Sequence, residues 1–148
     1  MLSAKSLDIV IPVYNEEQCL PTLLERLLKL KEILSHLNMR FIFVNDGSDD
    51  NSLSLLKSFA DRFAFVKYIN FSRNFGHQIA ITAGIDFATA EYVVVIDADL
   101  QDPPEVIEGL CKKADEGYDV VYARRLTRKG DTFFKRLTAK AFYRLISK

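Results

Sequence analysis

The chain has 148 residues, of which 49% are hydrophobic and 27% are charged, and its formal net charge is zero. This composition is typical of one soluble globular domain with its own core. No apolar run approaches the roughly 20 residues of a membrane span, no signal peptide is recognisable, and Cys19 and Cys111 form no disulfide or metal motif, which favours a reducing compartment.

The apolar pattern predicts strands that alternate with amphipathic helices. Short β-branched runs predict strands, and apolar residues at three- and four-residue steps predict helices. The predicted strands are 7–13, 40–45, 65–70, 92–96 and 118–123, and the helices lie near 20–34, 53–63, 80–88 and 104–114. This order indicates an α/β fold with a mostly parallel sheet. Because the G-x-G-x-x-G loop is absent, a nicotinamide dehydrogenase is disfavoured, and the sequence has no Walker loop either.

Polar residues follow the first strand, at the edge where open α/β sheets bind ligands. Pro12 ends the strand, and Tyr14 and Glu16 precede the first helix. At this edge Tyr14 is suited to stack on a base, and Glu16 is suited to accept a hydrogen bond from a ribose hydroxyl. A packing role for Tyr14 and a helix-dipole role for Glu16 explain the same pattern equally well.

The second and third strands also end in polar segments. Asp46 follows the second strand, and because residues 49–51 supply enough helix caps, Asp46 is left for a ligand such as a nucleobase N–H. Arg73 follows the third strand with a fork of donors suited to a phosphate or a base edge, with a surface ion pair as the alternative. His77 is assigned no role, and small residues within 80–84 are expected to bring the next helix close to the sheet.

The fourth strand ends in the stretch Asp97-Ala98-Asp99-Leu100-Gln101-Asp102-Pro103-Pro104-Glu105. Asp97 and Asp99 are two residues apart, so in continued strand geometry their carboxylates point the same way. Oxygen ligands without a nearby His or Cys suit Mg²⁺ or Mn²⁺ bound together with substrate phosphates, which implies a diphosphate partner. A helix cap near Pro104 is the alternative for one aspartate, but it does not require the pair.

The charge composition of the chain changes at Arg124, from mainly acidic to mainly basic. Residues 124–148 carry nine Lys or Arg and one acid, whereas residues 1–123 carry eleven bases and nineteen acids. From about Asp131 the pattern is that of a basic amphipathic helix with aromatic residues, which favours a membrane interface. The alternative is a helix that docks on its own domain with a solvated basic face. Nucleic-acid binding is disfavoured because no recognisable module accompanies the charge.

Four motifs follow one another along the chain: Ile11-Pro12-Val13-Tyr14-Asn15-Glu16, Val44-Asn45-Asp46-Gly47-Ser48, Arg73-Asn74-Phe75-Gly76 and the acidic stretch from Asp97 to Glu105. Together they resemble family 2 glycosyltransferases with a GT-A fold. The long last motif resembles the polyprenyl-phosphate branch, which includes bactoprenol glucosyltransferases, undecaprenyl-phosphate aminoarabinose transferases and dolichol-phosphate mannose synthases. Segments 122–130 and 134–144 are similar to the bactoprenol glucosyltransferase pattern, so the resemblance covers essentially the whole chain.

The resemblance implies a role for each matching residue. The positions that contact the nucleotide sugar correspond to Pro12, Tyr14, Glu16, Asp46, Arg73 and Asp97. The metal and diphosphate positions correspond to Asp97, Asp99 and Gln101, with Mg²⁺ or Mn²⁺ as cofactor. Basic residues near the donor and acceptor phosphates correspond to Arg125 and Arg128. Catalysis would then depend on Asp97, Asp99 and Arg125, with Asp102 either orienting a substrate or capping a helix.

The implied reaction is the inverting transfer of glucose from UDP-glucose to undecaprenyl phosphate at the cytoplasmic face of the membrane. Residues 1–123 would form the donor half of a GT-A catalytic domain, and residues 124–148 a basic, membrane-proximal helix. Members of the family continue through more of the catalytic domain and usually two membrane-spanning helices. The expected partners are a nucleotide-diphosphate sugar, a polyisoprenyl phosphate lipid and the membrane surface, and a homo-oligomer is left open.

Three alternatives to this reaction stay open. The first is a GDP-mannose-dependent polyprenyl-phosphate mannosyltransferase. The second is a transferase that acts on a polysaccharide or a soluble acceptor. The third, which belongs to another class, is a non-catalytic nucleotide-binding or membrane-surface module, and a turnover assay with a lipid phosphate separates it from the enzyme.

Overall fold

A computed structural model of the chain describes residues 5–124, which form a four-stranded sheet with helices on both faces. The elements in chain order are β1 (Ser6–Val13), α1 (Leu20–Ile33), β2 (Asn38–Asn45), α2 (Ser52–Arg62), β3 (Val66–Asn70), α3 (His77–Phe87), β4 (Tyr92–Val95) and α4 (Val106–Asp115). The strands lie in the order β3-β2-β1-β4, and all three pairings are parallel. The predicted α/β class is therefore confirmed.

β1 lies inside the sheet, and its side chains alternate between two cores. Ile9 and Ile11 belong to the larger core, to which α1, α2 and α4 contribute, whereas Val10 belongs to the smaller core with Ala80 of α3. Because both faces are covered, almost every residue of β1 is buried, which explains its near-continuous apolar sequence.

Helix α3 lies very close to the sheet. A β-carbon built on Gly84 would lie 2.3 Å from Val10 Cγ1 and 3.1 Å from Val44 Cγ2, and Ala80 is fully buried on the same helix. Only small side chains permit this approach, as the sequence predicted. The N-terminus of α3 is therefore held near the carboxyl edge of the sheet.

Residues 118–123 do not form the strand that the sequence predicted. A groove of about 680 Å³ has β4 and residues 117–119 and 121–123 among its walls, and Tyr118, Val120 and Tyr122 are 59%, 82% and 80% exposed. The alternating pattern has β propensity, but a strand also requires a neighbour whose backbone completes the ladder. Within residues 5–124, β4 is an edge strand and has β1 as its only partner.

The predicted basic helix from about Asp131 lies outside the described residues, as do Arg125 and Arg128. Between residues 5 and 124, no helix is long and apolar enough to cross a bilayer.

Candidate active site

The turns after β1 and β2 are joined by side-chain hydrogen bonds. Asn15, at φ 56°, accepts the N–H of Asp49 on its side-chain oxygen at 2.8 Å and donates its own N–H to Ser48 Oγ at 3.0 Å. The N–H of Glu16 donates to Ser52 Oγ at 3.0 Å. These bonds fix the segment after β1 against the start of α2, and so place its exposed side chains at the carboxyl edge of the sheet.

Asp46 connects the end of β2 to the start of α3. Its side chain is 3% exposed, and its two carboxylate oxygens accept the backbone N–H groups of Phe75 at 2.7 Å and Gly76 at 3.0 Å. The sequence singled out Asp46 for a ligand but gave no indication of this contact, because the partners are 29 and 30 residues away. Asp46 therefore shapes the site whether or not it also meets a ligand.

The acidic turn has an unusual backbone. Leu100 adopts φ 61°, a left-handed conformation that costs a non-glycine residue about 1–2 kcal/mol. Its side chain packs against the larger core, and Asp99 Oδ1 accepts the N–H of Gln101 at 2.9 Å. Burial of Leu100 and this local hydrogen bond together offset the strain and determine how the turn leaves β4.

A pocket of about 360 Å³ lies where β1, β2 and β4 end, beside the first residues of α3. Open α/β sheets bind ligands at this edge. Six of the predicted site residues line the pocket, namely Pro12, Tyr14, Glu16, Asp46, Asp97 and Asp99. Three separate strand ends thus bring their polar side chains to one cavity.

The other predicted site residues do not line this pocket. In the described part of the chain these are Arg73, Gln101 and Asp102. The guanidinium of Arg73 lies over the ring of Phe75, 4.7 Å from its centroid. Asp102 lines the larger groove beside β4. Arg125 and Arg128 fall outside residues 5–124.

His77 lines the pocket, although sequence analysis gave it no role. It is the first residue of α3, and its Nε2 lies 3.5 Å from Oδ1 of Asp97. One feature of the sequence could have identified His77 as a site residue. A helix that follows a parallel strand begins at the carboxyl edge of the sheet, so a polar residue in its first turn is a site candidate.

The residues that line the pocket suit a metal ion whose coordination is completed by a bound phosphate ligand. Within residues 5–124, no three His, Cys, Asp or Glu side chains converge as a ready-made metal site. Asp97 and Asp99 nevertheless both face the pocket, and Mg²⁺ in phosphate-binding sites commonly takes only one or two carboxylates and fills its other positions with phosphate and water oxygens. The donor set therefore suits Mg²⁺ or Mn²⁺ together with a diphosphate.

Cys19 and Glu105, which interact with or belong to the acidic stretch, have shifted pKa values. Burial raises the pKa of the Cys19 thiol, and the nearby carboxylates of Glu16 and Asp99 add to the rise, so the thiol is protonated at neutral pH and is a poor nucleophile. A hydrogen bond from Arg26 lowers the pKa of Glu105, and this ion pair connects α1 to the end of the acidic turn.

Sequence comparison relates the chain to a large family. The family model described as Glycosyl transferase family 2 matches residues 8–147. The uncharacterized glycosyltransferase YkcC of Bacillus subtilis (strain 168) is 55% identical over 142 residues, which cover 95% of this chain and 43% of the relative. The prophage bactoprenol glucosyl transferase homolog of Escherichia coli (strain K12) is 39% identical over 142 residues, 96% of this chain and 46% of the relative. The chain thus spans less than half the length of these relatives.

Structural comparison agrees with the expected GT-A fold. The mannosyltransferase PcManGT from Pyrobaculum calidifontis, solved in complex with GDP-Man and Mn²⁺, superimposes with a TM-score of 0.55 at 21% sequence identity. The match covers 66% of this chain and 32% of that protein, and it shows a shared fold. The prediction of a GT-A arrangement for the sheet and its helices is confirmed.

Proposed function

This chain belongs to glycosyl transferase family 2, and we propose that it acts in the inverting transfer of glucose from UDP-glucose to undecaprenyl phosphate. The observation that carries the proposal is that Tyr14, Glu16, Asp46, Asp97 and Asp99, which follow three different strands, line one pocket. These are positions that the resemblance assigns to the nucleotide sugar and its metal. The name of the Escherichia coli relative supports glucose as the sugar and bactoprenol as the acceptor lipid.

In the proposed complex, residues after β1 and β2 hold the nucleoside. Tyr14 is 46% exposed at the pocket, so its ring is available to stack on the base. Glu16 would accept a hydrogen bond from a ribose hydroxyl. Asp46 would accept the N–H of the base while it holds the backbone of Phe75 and Gly76, because an ionised carboxylate has acceptor sites for about four hydrogen bonds.

The acidic turn would hold the diphosphate. Asp97 and Asp99, with Gln101 at the third matching position, would bind Mg²⁺ or Mn²⁺, and the ion would offset the charge that grows on the departing diphosphate. The N–H of Gln101 already orients the carboxylate of Asp99. The Mn²⁺ in the PcManGT complex supports a divalent ion in this fold.

The acceptor phosphate would react without a strong general base. A phosphate monoester is largely ionised at neutral pH, so its oxygen can attack the anomeric carbon directly. The new bond joins that oxygen to the sugar, while the bond from the sugar to UDP breaks on the opposite face and UDP leaves with the electron pair. Asp102 would orient the acceptor, and Arg125 and Arg128 would bind phosphate oxygens. The basic tail would hold the domain at the cytoplasmic face of the membrane.

Calorimetric titration of the folded chain with UDP-glucose and with GDP-mannose tests the donor site, each with Mn²⁺ and with a chelator. We expect UDP-glucose to bind only with the metal. Asp99→Asn should weaken this binding by about tenfold or more, because a carboxylate ligand is lost. Asp61→Asn, at an exposed position of α2, is the matched control and should bind like the unmodified chain. Metal-independent binding that Asp99→Asn leaves unchanged would refute the metal assignment.

The same titrations and a transfer assay separate the alternatives. Metal-dependent binding of GDP-mannose alone would favour a mannosyltransferase. Donor binding without transfer to undecaprenyl phosphate in vesicles would favour either the non-catalytic module or a transferase that acts on another acceptor. If the folded chain binds neither donor, the proposed function is wrong for this chain.

A further inference from the structure

We propose that His77 is a donor-site residue whose imidazole N–H binds a phosphate oxygen of the nucleotide diphosphate. The inference rests on the proposed function, since it takes the pocket to be the site of a nucleotide sugar. It assigns a role to a residue that neither the motifs nor the comparisons indicate. Three observations support it: how the backbone places His77, what its side chain faces, and which charges surround it.

The backbone around His77 is fixed from the end of β2. The carboxylate of Asp46 accepts the N–H groups of Phe75 and Gly76, the two residues that precede His77. Gly76 has φ 104°, which turns the chain directly into α3. His77 is therefore held at the pocket by the same carboxylate that forms part of the pocket wall.

The imidazole faces the acidic turn across the pocket. Its Nε2 lies 3.5 Å from Oδ1 of Asp97, and the two side chains are 55% and 48% exposed. A pair that is half-exposed on both sides contributes little to folding stability. Both side chains line the same cavity, so a ligand can reach them together.

The pocket is acidic, so a diphosphate that binds there requires hydrogen-bond donors. Its lining includes the carboxylates of Glu16, Asp46, Asp97 and Asp99, and among the lining residues that the structure describes, His77 is the only one with a basic side chain. A diphosphate entering this pocket needs N–H donors in addition to a cation. Arg73, the donor that the sequence favoured, lies over the Phe75 ring and does not line the pocket.

The test compares ligands that differ only in phosphate. Binding of UDP and of uridine is measured by NMR titration in Mg²⁺ for the unmodified chain and for His77→Ala. We expect UDP to bind about tenfold more weakly to the variant, the usual effect of losing a hydrogen bond to a charged group, and uridine to bind equally well to both. If the unmodified chain prefers GDP, the same comparison uses GDP and guanosine.

Three further variants sharpen the result. His77→Gln should keep most of the UDP affinity, because its amide nitrogen reaches the place of Nε2, whereas the shorter side chain of His77→Asn should show the full loss. Gln78→Ala alters the next exposed residue of the same helix turn and should change nothing. Unchanged UDP affinity in His77→Ala, or an equal loss for uridine, would overturn the proposal. If the unmodified chain binds no nucleotide, the proposed function itself fails.

Discussion

Gly47 and Arg73 meet backbone to backbone: a β-carbon on Gly47 would lie 2.3 Å from the carbonyl carbon of Arg73 and 2.4 Å from the next amide nitrogen. Gly47 also has φ 66°, a conformation that favours glycine. The turn after β2 thus lies directly against the loop after β3. Together with the hydrogen bonds of Asp46, this contact determines where α3 begins.

Gly47→Ala should therefore destabilise the fold through two effects. The left-handed conformation costs alanine about 1–2 kcal/mol, and the clash is with backbone, which cannot rotate away as a side chain can, so it adds about 1–3 kcal/mol. Gly117→Ala is the matched control, because Gly117 has φ 98° but no atom of residues 5–124 lies within 4 Å of the added carbon. Urea unfolding should show a clearly larger loss for Gly47→Ala, and equal losses would contradict the close contact.

Asp46→Asn should loosen the loop that leads into α3. Asparagine offers one acceptor oxygen where the carboxylate offers two, and its amide N–H₂ would face a backbone N–H. We expect a loss of about 1–3 kcal/mol in unfolding free energy and faster hydrogen exchange at the amides of Phe75 and Gly76. Asp49→Asn, at an exposed position three residues later, should change stability by less than about 0.5 kcal/mol. Unaltered exchange at the two amides would show that Asp46 does not hold them.

Asp8 should make the stability of the fold sensitive to acid. Its carboxylate is 1% exposed, pairs with Arg40, and accepts the N–H groups of Thr89 at 2.8 Å and Ala90 at 3.1 Å. Burial raises the pKa of Asp8, but the hydrogen bonds from Arg40 and from the two backbone amides outweigh it, and the net shift is downward. The stabilisation is therefore present above the unfolded-state pKa of about 3.9 and is lost as the pH falls through the lower folded-state value.

Asp8→Asn measures this contribution. It replaces a carboxylate that accepts from Arg40 and from two backbone amides by a side chain with one acceptor oxygen, and Arg40 is 31% exposed, so we expect a loss of about 1–3 kcal/mol at pH 7. The difference between the variant and the unmodified chain should begin to shrink near pH 4, where the unfolded chain takes up the proton, and should keep shrinking as the pH falls towards the lower folded-state pKa of Asp8. Urea unfolding from pH 7 to pH 3 checks this, and a difference that stays constant over that range would contradict the assignment.

Local sequence patterns predicted most helices and strands well, because the burial that produces an apolar pattern acts on each segment separately. β1 and β2 are apolar since both faces are covered, and the predicted range 7–13 differs from the observed Ser6–Val13 by one residue. The prediction of a strand at 118–123 was wrong, because a strand requires a paired neighbouring strand that the local sequence does not specify. The order of the sheet, which brings Asp97 beside the end of β1, is likewise a property of the whole chain.

Only part of the candidate site was predicted, because some of its residues are placed by local sequence and others by distant contacts. Residues one or two positions after a strand, such as Tyr14 and Asp97, line the pocket because strand ends share one edge. The path of the loop after β3 depends instead on Gly76 at φ 104° and on hydrogen bonds to a carboxylate about 30 residues away, which the local sequence does not reveal. The sequence therefore favoured Arg73 and passed over His77, whereas the fold brings His77 to the pocket.

The close approach of α3 to the sheet leads to a final prediction. In Gly84→Ala the added methyl would lie 2.3 Å from Val10 Cγ1, so either Val10 or the whole helix must move. The gain in helix propensity, about 1 kcal/mol, is smaller than the overpacking cost of up to about 3 kcal/mol, so we expect a net loss of about 1–2 kcal/mol. Because His77 is the first residue of α3, Gly84→Ala should also lower the affinity for the nucleotide sugar.

A double variant tests the cause directly. Val10→Ala removes the nearer methyl group that the new side chain meets and leaves the one of Val44 at 3.1 Å, so Gly84→Ala should be less destabilising in the Val10→Ala background than alone, with a coupling of about 1 kcal/mol or more. Gly109→Ala is the matched control, because Gly109 lies in α4 and no atom in the described part of the chain is within 4 Å of the added carbon. It should stabilise the chain by up to about 1 kcal/mol. Additive effects of Val10→Ala and Gly84→Ala in urea unfolding would mean that α3 accommodates the methyl by shifting away from the sheet as a body.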